Sequence, residues 1–184
     1  MYIKLLISFI FISSFYAQTA HILPVYKIIL AENINNIYSN ANEVFNMFIN
    51  RKGIGIKFNN NSDYNIMPMQ LFETIKNFYR DIYNNLYYFE TLYKDEYIQL
   101  IISDYCDKLE ILHFILEDRG ILVPIEELFT FNKENNKFTF AFLGKEDEDY
   151  IIFGKELIKL MELKFEGNNL IINNQQFLLE DENF

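Results

Sequence analysis

The chain has 184 residues, 51% hydrophobic and 17% aromatic, a composition that excludes a disordered segment and supplies enough apolar surface for one buried core. Lys and Arg number 16 against 26 Asp and Glu, and the resulting formal charge of −10 repels phosphate backbones and anionic headgroups, which argues against nucleic acid or membrane surfaces as partners. Cys106 is the single cysteine, so no intramolecular disulfide can form and packing alone must hold the fold.

The N-terminus, MYIKLLISFIFISSFYAQTA, has the layout of a secretory signal peptide: a cation at Lys4, an apolar stretch from Leu5 to Ala17, then small and polar residues. That stretch is shorter than the ~20 residues a membrane-crossing helix needs, so a stable membrane span is not expected. Cleavage is expected after Ala17 or Ala20, although neither site has a small residue at position −3. Residues 1–20 are therefore assigned as signal peptide and 21–184 as a single domain, with the protein secreted or held in the secretory-pathway lumen. Loss of Lys4 leaves 15 basic and 26 acidic residues, a charge of −11.

From Val25 to about Arg51, Leu30, Ile34, Ile37, Ala41, Phe45 and Phe48 recur at helical spacing and predict a first helix with Gly53 as its C-cap. Ile54 to Phe58 alternates as a strand does, and the Asn-rich turn after it contains the sequon Asn60-Asn61-Ser62, a glycosylation acceptor if the chain enters a eukaryotic secretory route. Pro68 opens a predicted second helix whose stripe of Leu71, Ile75, Phe78, Ile82, Leu86, Phe89 and Tyr93 is the strongest in the chain. Asp95 is placed as the N-cap of a third helix that ends at Gly120. That segment is apolar on two sides, through Ile98, Ile101, Ile102 and Leu109 on one and Leu100, Ile111 and Phe114 on the other, which predicts a sandwiched position. The short connection at Lys94 predicts an antiparallel hairpin of the second and third helices.

After Pro124 the period changes. Residues 128–144 read as two alternating strands around an Asn-rich turn, with Phe138, Phe140 and Phe142 on one face, and DYIIF reads as a third strand. GKELIKLMEL predicts a short helix, and the last segment a meander turning at Gly167-Asn168-Asn169. Helices first and a small antiparallel sheet afterwards give a fold class of α+β, mostly helical, with three principal helices.

No cofactor or catalytic motif stands out. Glu110 and His113 have the Glu-x-x-His spacing of a diiron site, but a second copy cannot exist when His21 and His113 are the only histidines. Cys106 and His113 lie two helical turns apart, ~10 Å, too far for a nucleophile and its base. If cleavage follows Ala20, His21 offers an amine and an imidazole to copper, with His113 the one further histidine. The acidic run at residues 145–150 lacks the glycine and the spaced glutamate of a calcium loop and reads as a solvated turn. Glu126 and Glu127 are assigned to a helix start, where carboxylates interact with the dipole. Tyr79, Tyr83, Tyr87 and Tyr88 would edge the second helix with an amphipathic surface for a protein partner, in competition with packing against the first helix.

The sequence thus points to a secreted, non-enzymatic interaction protein acting through a helical or acidic surface, with no cofactor and no metal. The alternative is a small carrier holding an apolar ligand in a Phe-rich interior; an enzyme comes third, to be revived by a cluster of carboxylates with opposed environments in one cleft. An internal pocket of ~300 Å³ or more would favour the carrier, and a filled core with an exposed aromatic patch the interaction protein.

Overall fold

The structure is a computed structural model that describes residues 21–25, 27–31, 43–45, 48–49, 52–82, 89–94, 96–102, 111–115 and 119–181. The first strands are β1 (His21–Val25), β2 (Lys27–Ala31), β3 (Glu43–Phe45), β4 (Phe48–Ile49), β5 (Lys52–Asn59) and β6 (Asn65–Pro68), followed by helix α1 (Met69–Ile82). Then come β7 (Phe89–Lys94), β8 (Tyr97–Ile102), β9 (Ile111–Ile115), β10 (Gly120–Pro124), a single turn α2 (Ile125–Leu128), β11 (Phe129–Asn132), β12 (Lys137–Lys145) and β13 (Ile151–Gly154). Helix α3 (Lys155–Leu160) leads into β14 (Lys164–Glu166), β15 (Asn169–Ile172), β16 (Gln175–Leu178) and β17 (Glu180–Asp181). Strand dominates helix, which overturns the mostly helical α+β expectation with its three principal helices.

The segment expected as the third helix shows why. Leu100, Ile101 and Ile102 of β8 are consecutive and all buried. A strand covered on both faces reads as a continuous apolar run, which in sequence also satisfies the spacing of a helix that is apolar on two sides. The isoleucines only lean toward a strand, since β-branched side chains suit a pleated surface, and pairing with β7 on one side and β12 on the other decides it. The same correction applies to the expected first helix: its described parts are strands, with Ile28 of β2 buried in register between Phe114 and Phe45. The second helix begins at Met69, one residue past the expected Pro68, which instead ends β6; it is recorded only to Ile82, and Phe89–Lys94 is a strand. The antiparallel hairpin around Lys94 therefore exists as β7 and β8, closed by the Lys94–Tyr97 pair, and not as two helices.

A large mixed sheet runs in the order β17-β1-β5-β13-β6-β12-β8-β7, with β11 and β4 pairing β12 and β5 off that path. Two of its pairings are parallel, β5 with β13 and β6 with β12. Pro24 is tolerated in β1 because β17 covers only His21 and Ile22, so at Pro24 the strand has a recorded neighbour on one side only, β5. A second sheet has the order β10-β9-β2-β3, and alternate residues on it, Ile28, Leu112, Phe114, Ile121 and Val123, join the core of the first. The third sheet, β14-β15-β16, is the expected C-terminal meander. Its second hairpin turns at Asn173-Asn174, both at positive φ, the geometry of a two-residue type I′ loop in which Asn is among the few tolerated L residues. The outer edge of β16 is capped by Arg119, whose guanidinium donates to Gln176 O at 2.5 Å and lies over the Phe177 ring.

The core is organised by phenylalanine. Phe140 of β12 meets Phe72 of α1, Phe129 of β11 and Phe142, with ring centroids 6.4, 5.4 and 5.7 Å apart. The chain of rings continues from Phe142 to Phe153 at 5.9 Å and from Phe153 to Phe114 at 5.6 Å, joining helix and both sheets. Helix α1 comes close enough because β12 carries Gly144 there: a Cβ at that position would lie 2.6 Å from the Phe72 ring. Replacing Phe140 by Ala is expected to cost about 3–5 kcal/mol. Gly144→Ala, which pushes against a ring already packed, is expected to cost about 1–3 kcal/mol. Urea unfolding of both variants checks the order; a neutral Phe140→Ala would contradict the ring ladder as the source of stability.

Candidate functional site

Strand β12 changes partner part-way along one edge. Residues 137–140 pair antiparallel with β11, and residues 142–145 pair parallel with β6, while β8 holds the opposite edge. Ala141 falls at the junction and belongs to neither pairing. Two strands that share an edge end to end leave a gap between them, and the backbone group in that gap needs another partner. Asn65, the first residue of β6, supplies it: its Nδ2 donates to Ala141 O at 3.1 Å. Its Oδ1 accepts from Gly154 N at 2.8 Å, so one half-buried amide ties β6, β12 and the end of β13 together.

A cleft of about 250 Å³ opens at this junction. Thr139, Ala141 and Leu143, which alternate with the buried Phe140 and Phe142, line it from β12, and Thr130 lines it from β11. Leu157 and Leu160 of α3 contribute apolar surface, and Asp63, Glu127 and Glu156 contribute three carboxylates. Tyr64 and Leu160, at 46% and 58% exposure, are large apolar groups left in solvent, and both line this one cleft.

The wall formed by residues 59–65 is fixed by local hydrogen bonds. Ser62 N donates to Asn59 O, while Ser62 Oγ accepts from Tyr64 N and donates to Tyr64 O. Ser62 O accepts from Lys155 N at 2.9 Å, docking the start of α3 on the turn. Gly154 is required there: a Cβ would lie 2.5 Å from Tyr64 O, a backbone atom that cannot step aside without opening the turn. Lys155 Nζ pairs with Asp63 Oδ1 on the surface. The hydrogen bond that Lys155 donates to Asp63, reinforced by the charge of that carboxylate, raises the Lys155 pKa above the usual lysine value. Its contribution is thus present at neutral pH and fades as the pH rises through that raised value; at such an exposed pair it is small.

The residues singled out in the sequence fall elsewhere, with one exception. Glu127, assigned there to a helix start with Glu126, does lie in α2 and also lines the cleft. Tyr79 lies in α1; Tyr83, Tyr87 and Tyr88 lie outside the described residues, and a helix continuing through them to Tyr93 is excluded by the strand at Phe89–Lys94. Cys106 and Glu110 also lie outside the described residues. His113 sits in β9 opposite Ile29 and Leu122, in the smaller sheet, whereas His21 opens β1 in the larger one. In the acidic loop Glu148 Oε1 accepts from Tyr150 N, Asp147 takes a left-handed φ of 58°, and Tyr150 lies under Lys57 Nζ at 3.7 Å. Among the described residues, no three His, Cys, Asp or Glu side chains group so as to hold a metal ion. Asn60 is exposed in the turn after β5. The cleft residues Asp63, Tyr64 and Asn65 carried no signal in the sequence, because Asn60 to Asn65 looks like any polar turn in so Asn-rich a chain.

No protein-family model and no curated protein sequence matches this chain. Among the described residues no helix is long and apolar enough to cross a membrane.

Substituting Asn65 by Ala removes the partners of two half-buried backbone groups and is expected to cost about 1–3 kcal/mol. Amide hydrogen exchange should also quicken at Gly154. Unchanged exchange there would show that Asn65 does not hold the junction.

Proposed function

We propose that the protein is a non-enzymatic interaction protein, exported from the cell that makes it, whose contact surface is the cleft between β11 and β6. The observation that carries this reading is the coincidence of exposed Tyr64 and Leu160 with Asp63, Glu127 and Glu156 around one opening. Exposed apolar side chains bordered by carboxylates favour a partner segment that is itself part apolar and part basic, and the charge of −10 steers such a segment inward. Tyr is well suited to such a rim, since its ring covers area while its hydroxyl stays wet.

An apolar-ligand carrier is less well supported. The phenylalanines that would line its pocket are in contact with one another from Phe72 through Phe140, Phe142 and Phe153 to Phe114. The cleft at the junction is open to solvent and polar at its rim, and so is a larger opening of about 550 Å³ bordered by Tyr97, Lys145 and Asp147, so neither encloses an apolar ligand. Export is supported by the pattern of residues 1–20, a cation followed by a short apolar stretch and small residues.

A short synthetic peptide alternating Lys and Leu, titrated into the ¹⁵N-labelled protein, should shift the amides of Tyr64, Thr130, Ala141 and Leu160. Binding should weaken several-fold on Glu156→Lys, a substitution at an exposed position, and again on raising salt. A matched Glu–Leu peptide should not bind. Equal binding of the two peptides, or shifts clustered away from the cleft, would refute the assignment.

A further inference from the structure

The sequence contains one Asn-x-Ser/Thr triplet, Asn60-Asn61-Ser62, although Asn is abundant throughout. The fold places it at the tip of the connection between β5 and β6, where Asn60 and Asn61 are both exposed. The turn is closed by backbone and neighbouring side chains: Ser62 N to Asn59 O at 3.1 Å, and Asn61 N to Asn59 Oδ1 at 3.0 Å. Within the described residues no hydrogen bond engages the Asn60 amide, so the fold makes no structural use of it. The Ser62 hydroxyl is bound to both the N–H and the carbonyl of Tyr64 in the folded turn. It is therefore free to assist at Asn60 only before the turn closes, which is when chains are modified as they enter the secretory lumen.

We infer that Asn60 is an N-glycosylation site, occupied during translocation and presented on the surface once the chain folds. In the transfer, Asn60 Nδ2 forms a bond to the anomeric carbon of a lipid-pyrophosphate-linked oligosaccharide. The bond from that carbon to the pyrophosphate oxygen breaks, the lipid pyrophosphate leaves with the electron pair, and the amide gives up one proton. A glycan on Asn60 displaces no packed side chain, because the residue is exposed and its turn is held by Asn59 and Ser62. The same cannot be said of half-buried Asn65, whose amide is used twice by the backbone. This inference rests on the export reading above.

Cell-free translation of the full chain with endoplasmic-reticulum microsomes tests both and separates them. The expected product is protease-protected and carries a single upward step in mass that endoglycosidase H removes. Asn60→Gln should abolish the step, and Ser62→Thr, which preserves the hydroxyl, should keep it. A protected chain with no step, or a step that survives in Asn60→Gln, overturns the site while leaving export intact. A chain that stays outside the vesicles overturns both.

Discussion

Strand β12 must satisfy its backbone on both edges, and no single neighbour runs its full length. β8 takes one edge, with a register shift between Thr139 and Leu143, while β11 and β6 divide the other. Because β11 is antiparallel and β6 parallel, the two cannot merge into one ladder across Ala141. The Asn65 amide closes the gap in hydrogen bonding but not in space, and the cleft is what remains. One constraint of backbone pairing thus creates both the joint of the main sheet and the cleft beside it.

The same strand organises the interior. Phe140 and Phe142 face the ring chain that runs from α1 to the second sheet, and Thr139 and Ala141, at the alternate positions, line the cleft. Period-two alternation puts Thr139 and Ala141 opposite the rings, while Phe140 belongs to the rings and also lines the cleft. A residue that disturbs the rings therefore disturbs the cleft floor, whereas α3 and the 59–65 turn can vary at their exposed positions without touching the core. That separation suits a protein that recognises a partner: a rigid floor, and a rim carrying exposed Tyr64, Glu156 and Leu160.

The turn before β6 links the cleft to the sequon. Asn59, Ser62 and Tyr64 hold it by short-range bonds, and Ser62 O and Asp63 anchor Lys155 at the start of α3. One face of this short segment is committed to structure and the other, at Asn60 and Asn61, to solvent. Polar turns of this composition are common, and only the docking of α3 distinguishes this one.

Where one face is wet, the sequence determined the outcome. The β11–β12 hairpin, helix α3 and the meander of β14 to β16 follow their own alternation and turn residues, because a half-exposed element must write its period into polar and apolar positions. The start of α1 is legible after Pro68 for the same reason. Tertiary structure alone decided β8. A segment buried on both faces has no polar positions to mark its period, so Leu100-Ile101-Ile102 is consistent with helix or strand until a partner such as Phe138-Thr139 fixes the ladder. The cleft was equally hidden, since Asp63, Asn65, Glu127 and Leu160 are far apart in sequence and meet only because β12 exchanges one neighbour for another.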